Sequence, residues 1–600
     1  MAENEGDQQR SVSDAVVARL RDWGVQRVYG YSGDGINGVI EALRRAGEPA
    51  FVQARHEENA AFMAVAEAKY GGGAGVALAT QGPGAVHLLN GLYDAKLDSV
   101  PVVAIVGQQP RSVLGSGYQQ EVELHALFAG VAEYFVQLSA PQQLPMALDR
   151  AFRHALSRRG PAVVAFPHDL QSEPEPELPR AHGVVATAAA FAAPVVSADD
   201  RSLHAAAALL SEAERPVILV GRGAAQAREA VVATAEALGA GIVTSLLGKP
   251  YVDEAHPLAA GTMGHLGTTA SAEVIQDCDA LLIVGSSDPW TEFYPAPGQA
   301  RAVQIDVDPG AIGDRYPVEV GVASAAEPAL RSLLELLTPR DRSAWTERVR
   351  TAVARWHEVQ AARAAVPAEP LNPEAVVAAL NEALPRDASI ALDVGSVVYW
   401  YARQLRVPDG VPVQLSSTLA SMGGGVPYGL AAKLRDPSRP VLVLAGDGGM
   451  QMTGIAELIT VASRWRDWAD PRFVVAVFDN GDLAEVSWEQ REMEGSPRFR
   501  QSQALPAFPY ADYAQLLGLD GELVERREDL AAAWSRAFSA DRPRLLQLRT
   551  DPAVPMLPPM AAADKTSSMR TALEAEAAEG GELAARALRL LEEYARIEQG

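Results

Sequence analysis

The apolar run Val441-Leu442-Val443-Leu444-Ala445 ends in Gly446-Asp447-Gly448-Gly449, and thirty-three residues after Asp447 a second run, Phe473 to Phe478, ends in Asp479-Asn480. Each run reads as a buried strand, and each delivers an oxygen ligand at its carboxyl end, where open α/β sheets bind ligands. Glycines beside Asp447 let a phosphate approach the backbone. Mg²⁺ takes six oxygens: Asp447 Oδ, Asn480 Oδ and the Asp482 carbonyl supply three, and two diphosphate oxygens and a water complete the octahedron. The predicted chemistry is a magnesium-diphosphate site, with Asp447, Asn480 and Asp482 on the metal and Gly446, Gly448 and Gly449 beside the phosphates.

Two further segments have the composition of a site. In Arg55-His56-Glu57-Glu58-Asn59-Ala60-Ala61-Phe62, Glu57 falls in the first turn of a helix, where an acid also suits the helix dipole. In Leu419-Ala420-Ser421-Met422-Gly423-Gly424-Gly425-Val426-Pro427, Met422 sits in a glycine-rich turn, where methionine on its own would only fill space. A second GDG, Gly33-Asp34-Gly35, reads as an ordinary turn.

Together the three segments resemble the signature of thiamin-diphosphate enzymes, specifically the decarboxylase, oxidase and acetolactate synthase group, and the runs Gly30–Gly38, Gly82–Leu92 and Gly115–Glu121 resemble most of all its pyruvate oxidases. The resemblance runs over almost the whole chain. It implies that Glu57 activates the cofactor by hydrogen-bonding N1′ of its aminopyrimidine, that the Ala420 carbonyl accepts from the 4′-amino group, and that Met422 wedges between the two rings. It also implies that Gln120, in Gln119-Gln120-Glu121, faces the substrate, with Glu485, Val486 and Glu489 on the substrate side of the diphosphate domain. The middle of the chain resembles the group's flavin domain, which places Gly221, Arg222, Gly223, Lys249, Gly264 and Asp306 around FAD.

This chain departs from the pattern at several positions. Asp479 replaces the first asparagine of the metal pair, and the segment before it is longer than usual. Gln119 replaces a phenylalanine, and Glu485 stands where an aromatic residue is expected. Ser324-Ala325 replaces the Gly-Asp that closes the flavin domain at the adenine end.

The positioning elements follow from the alternation of strand-like apolar runs with helical patterns, the mark of parallel α/β sheets. Three such α/β domains are expected: a pyrimidine-binding domain at 10–185, a central Rossmann-like, flavin-binding domain at 197–340 and a diphosphate-binding domain at 366–556. A helical tail at 557–600 follows, ending in an amphipathic pattern from Leu583 to Ile597. Six hundred residues are too many for one core. With 76 acids against 52 bases and a net charge of −24, nucleic acid is excluded as a partner. The tail helix lacks a basic excess, so packing is expected of it and membrane contact is the alternative. The lone Cys278 excludes an internal disulfide, and the polar stretch Met1–Arg10 has no apolar leader; a cytoplasmic protein is expected.

The expected function is decarboxylation of a pyruvate-like 2-oxo acid with flavin-linked oxidation to acetate or acetyl phosphate. Two alternatives are a carboligase like acetolactate synthase, with FAD only structural, and a non-catalytic cofactor-binding homologue. By resemblance, Glu57 and Asp447 meet across a subunit interface, which implies a homodimer or homotetramer.

Overall fold

The computed structural model describes residues 9–559 and 563–599. Most of the polar amino-terminal stretch and four residues of the tail region, 560–562 and 600, lie outside it. Three six-stranded sheets follow one another, and every strand pairing in them is parallel. The first holds β1 (Arg27–Gly30), β2 (Ala50–Gln53), β3 (Gly75–Ala79), β4 (Val102–Gln108), β5 (Tyr134–Gln137) and β6 (Pro161–Pro167), in the order β2-β1-β3-β4-β6-β5. The second holds β7 (Pro216–Val220), β8 (Gly241–Thr244), β9 (Ala259–Thr262), β10 (Ala280–Val284), β11 (Arg301–Asp306) and β12 (Val320–Ala323), in the order β12-β11-β10-β7-β8-β9. The third holds β13 (Ser389–Leu392), β14 (Val413–Gln414), β15 (Val441–Gly446), β16 (Phe473–Asp479), β17 (Asp520–Val524) and β18 (Arg544–Arg549), in the order β14-β13-β15-β16-β18-β17.

The expected fold class is therefore the observed one. Interior strands such as β4 and β16 are buried from end to end, as strands covered by helices on both faces must be. The first and third sheets share one topology, and their cores merge into a single apolar cluster. The contact is made by the helix Glu57–Gly71, which follows β2, and the helix Gly425–Arg435, which follows β14. Phe62 lies beside Gly424 near the amino ends, and Arg435 meets Glu67 and Gly71 near the carboxyl ends, so both helices begin at the same end of the interface. Small residues on the first helix, Ala60, Ala61 and Ala64 among them, are fully buried and let its neighbours come close.

Each sheet has a point inside it where the strand order reverses, between β1 and β3, between β7 and β10, and between β13 and β15. The crevice outside such a reversal is where a doubly wound sheet can receive a ligand.

The tail forms two helices, Ala563–Ala578 and Glu582–Gln599. The second buries Ala584, Ala587, Leu591 and Tyr594 at helical spacing against the third sheet's helices. Glu598 ends it between Arg363 and Arg403, both almost wholly buried, and Arg363 also pairs with Glu374 at 2.6 Å. The amphipathic face is thus a packing face, with Leu583 and Leu588 at its margin rather than its centre. Among the described residues no helix is long and apolar enough to cross a membrane.

Candidate active site

Strand β15 carries Asp447 to the reversal of the third sheet, and its carboxylate is gathered in by backbone amides. Oδ2 accepts from Asn480 at 3.0 Å and Gly481 at 2.6 Å, and Oδ1 accepts from Gly448 at 2.9 Å. Asn480 Oδ1 accepts the Asp482 amide at 2.9 Å, which leaves its second lone pair for another partner. Asp482 turns its own carboxylate to Arg498 at 3.0 Å, while its Oδ1 is buried without a hydrogen-bond partner. Burial, opposed by the amides, pushes Asp447 up to about 7. A buried carboxylate with no cationic side chain on it among the described residues has the electrostatics of a divalent-cation ligand, and bringing up such an ion would drive its proton off. Added side-chain atoms at Gly446 or Gly481 would meet nothing within 4 Å, so there is open room beside both ligand loops. The residues present therefore fit a magnesium diphosphate group. Asp479 takes another course: its carboxylate accepts from Gln547 at 2.7 Å, with Arg549 3.3 Å away.

The glycine-rich turn lies against this motif. A side chain on Gly448 would fall 2.8 Å from Met422 Cε. Ala420 adopts φ +55, a left-handed conformation costing a non-glycine residue about 1–3 kcal/mol, of the kind that gathers at ligand sites. Gln120, at φ +61, is a second such residue, and it too falls at a predicted site position.

Glu57 opens its helix as expected, capped by His56, whose Nδ1 accepts the Glu58 amide at 3.2 Å. Glu57 is 8% exposed, with its Oε2 2.9 Å from His87 Nδ1 and its Oε1 facing the Gly82-Pro83-Gly84 loop. Glu58 bonds Asn90 at 2.6 Å, and Asn90 bonds Ser421 Oγ at 2.7 Å, so the glutamate helix and the Met422 turn are linked by two hydrogen bonds.

Gln120 borders a polar cleft of about 360 Å³ with Asp34, Gln81, Gln109, Gln119 and His168, and accepts from Gln81 at 3.0 Å. Glu485, Val486 and Glu489 share the helix Ala484–Met493. Glu485 Oε2 faces Gly395, just beyond β13, and no ion pair or hydrogen bond reaches its carboxylate among the described residues. Burial, helped by Glu489, pushes it up to about 7. Burial also raises Glu489. Val486 is half exposed. The tail helix Ala563–Ala578 packs on this helix, with Glu576 bridging Arg491 at 2.8 and 2.9 Å.

At the reversal of the second sheet, Gly221 and Gly223 lie on Gly285, so close that a side-chain atom on Gly221 would stand 2.1 Å from the Gly285 oxygen. Arg222 donates to the Asp98 and Ser99 carbonyls of the first domain. Arg159 lies near it, and burial followed by the like charge of Arg222 pulls Arg159 below the ordinary arginine range. Ser286 Oγ is buried and unpartnered. Two cations, close-packed glycines and an orphan hydroxyl suit the phosphates of a dinucleotide. Gly264, at φ +90, packs on the Trp290 indole, and Asp306 accepts the Asp308 amide at 3.0 Å, burial raising its pKa. Lys249 is drawn inward onto Glu254 and over the Tyr401 ring, and Ser324 spends its hydroxyl on the Val196 carbonyl at 3.2 Å. The Gly221–Gly223 loop thus suits the phosphates of FAD, while Ser324-Ala325 puts no carboxylate where the resemblance expects one.

Sequence reading missed Asp393, Asp98, His87 and Tyr510, whose hydroxyl reaches the Asp447 carbonyl at 3.1 Å. Only Asp393 carried a signal, as an acid at the end of the apolar run Ile390-Ala391-Leu392.

Family models match the chain in three places. The thiamine pyrophosphate enzyme N-terminal TPP binding domain matches residues 10–127, the central domain residues 203–333 and the C-terminal TPP binding domain residues 393–548. A Bacillus subtilis protein described as thiamine pyrophosphate-containing is 35% identical over 89% of this chain and 90% of its own. The pyruvate oxidase of Lactiplantibacillus plantarum is 33% identical over 73% of each chain. The acetolactate synthase large subunit of Corynebacterium glutamicum is 30% identical over 93% of this chain and 90% of its own. With all three domains matched in order along the chain, this protein belongs to the thiamine pyrophosphate enzyme family.

Proposed function

We propose that this enzyme decarboxylates a 2-oxo acid and passes two electrons from the product to bound FAD, as a pyruvate-oxidase-like flavoprotein. The observation that carries the reading is the meeting, at one sheet reversal, of the buried Asp447 carboxylate with the Met422 turn, beside a helix that begins with the buried Glu57. Thiamin diphosphate supplies a carbon nucleophile and an electron sink for loss of CO₂, and FAD supplies a two-electron acceptor. Asp447, Asn480 and the Asp482 carbonyl hold magnesium and through it the diphosphate. With the cofactor bound, Glu57 would hold or share a proton at N1′, the Ala420 carbonyl would accept from the amino group, and Met422 would pack against the rings. Gln120, Val486 and Glu489 border the substrate, and the Gly221–Gly223 loop with Arg222 and Arg159 receives the flavin phosphates.

Val86, Tyr93 and Leu97 are exposed on the helices that follow the Gly82–Gly84 loop, and Met452 and Ile459 are exposed on the helical segment that follows Asp447. These apolar residues support the homodimer in which Glu57 of one copy meets Asp447 of the other.

Purified protein should carry flavin absorbance, and that absorbance should bleach when pyruvate or another 2-oxo acid is added without oxygen. Flavin that stays oxidised while acetolactate accumulates would favour the carboligase reading, which the likeness to acetolactate synthases over nine-tenths of the chain keeps in view. A colourless, active protein would remove the oxidase.

Glu485 shapes the choice of substrate. Ionised, it repels a 2-oxo acid carboxylate by about 1 kcal/mol or more at several ångströms; protonated, it does not. With its pKa pushed up to about 7, the KM for pyruvate should rise as the pH passes from 6 to 8. Glu485→Gln should lower KM at pH 8 with little loss of kcat and flatten that dependence. Equal KM profiles for the two proteins would show that Glu485 points away from the substrate.

A further inference from the structure

The segment from Ser416 to Gly425 joins β14 to the helix Gly425–Arg435 and holds Ala420 at φ +55 and Gly423 at φ +90. Alanine has no local preference for that conformation, so its surroundings must impose it. Two buried carboxylates from different domains are attached on either side. Asp98, which follows the helix Leu89–Leu97 of the first domain, accepts the Ser417 amide at 3.1 Å and the Thr418 amide at 2.9 Å. Asp393, which follows β13, accepts the Gly423 amide at 2.8 Å and the Gly425 amide at 3.2 Å.

The two anchors are built differently. Lys69 lies 2.7 Å from Asp98 and also donates to the Leu415 carbonyl at 2.6 Å, so it too holds the start of the segment. Asp393 is fully buried and held by amides alone, the third being Val394 at 2.8 Å. It is also pressed on the diphosphate motif, since a side chain on Gly449 would fall 2.6 Å from its Cγ. Hydrogen bonds to ionised acceptors are the stronger kind, and burial makes their loss costly.

We propose that Asp98 and Asp393 are positioning residues that clamp this segment from both outer domains, so that the Ala420 carbonyl and the Met422 side chain meet the thiamin rings. The clamp rests on the reading of the segment as the cofactor turn. Neither carboxylate touches reacting atoms. Because one anchor belongs to each domain, the turn takes its shape when the domains dock rather than from its own sequence.

Hydrogen exchange on the full-length protein without cofactor tests the clamp directly. The amides of Ser417, Thr418, Gly423 and Gly425 should be protected in the wild type. Asp98→Asn should speed the first two, and Asp393→Asn the last two, by about tenfold or more, with β15 amides unchanged. Equilibrium titration with thiamin diphosphate and Mg²⁺ should show each variant binding about tenfold more weakly. As a control, Asp149 is equally buried and bonds Trp23 Nε1 at 2.9 Å in the first domain; Asp149→Asn should lower Tm and change neither readout. Faster exchange with wild-type thiamin affinity would overturn the clamp, and so would four unprotected amides in the wild type, a measurement that needs no variant. Four protected amides in a wild type that binds no thiamin diphosphate would instead sink the reading of the site, and the clamp's cofactor role with it.

Discussion

Glu57→Gln should leave thiamin diphosphate bound but slow exchange of its C2 proton by orders of magnitude. The amide has nearly the shape of the carboxylate, so the contacts at His87 and at the Gly82–Gly84 loop can be kept. It cannot hold or share a proton at N1′, and positioned proton transfer of this kind contributes about 10²–10⁴-fold. Deuterium exchange at C2, followed by quenched NMR, isolates the step from everything after it. Wild-type exchange in the variant would remove Glu57 from activation and leave it as a buried capping acid.

Asp447→Ala should abolish magnesium-dependent cofactor binding. The substitution deletes the anionic ligand and strands the three amides that converge on it, those of Gly448, Asn480 and Gly481. Loss of a metal ligand with these contacts corresponds to several kcal/mol, or about a hundredfold or more in affinity. Titration with thiamin diphosphate, with and without Mg²⁺, reads it, and Asp447→Asn, which keeps the shape and loses the charge, separates electrostatics from packing. Unchanged affinity in both variants would move the metal elsewhere in the chain.

What could be read from the sequence divides along physical lines. Interior strands such as β4, β10 and β16 announce themselves because both faces are buried and the run is apolar throughout. The edge strands β5, β12 and β17 escape notice: each is partly exposed, and β17 begins Asp520-Gly521-Glu522. Asp447 and Asn480 are legible because a polar residue at the end of an apolar run is conspicuous. Asp98 is not, because its partners Ser417 and Thr418 lie more than three hundred residues away and only packing of the first domain on the third brings them together. The unequal environments of Glu485 and Asp479 were equally out of reach, since a carboxylate's charge depends on neighbours supplied by the fold. The tail helix shows a subtler limit: its amphipathic spacing is plain, but the angle of its buried face is set by Tyr594 and Leu591 meeting the third domain's helices.

The helices Glu57–Gly71 and Gly425–Arg435 occupy the same station in two copies of one topology and start at the same end of their contact. Such a pair works like the jaws of a caliper. One jaw carries the glutamate at its tip and the other carries the methionine turn, so the offset at which each copy of a homodimer offers these two tips is set by how the helices are registered rather than by either loop. A slip of one helical turn along the contact would shift one tip past the other by about 5.4 Å, comparable to the width of an aromatic ring. The buried alanines that let the jaws close, and the reach of Lys69 across to Tyr428 at 2.8 Å, are therefore the gauge of the instrument: they fix a length, and the chemistry inherits it.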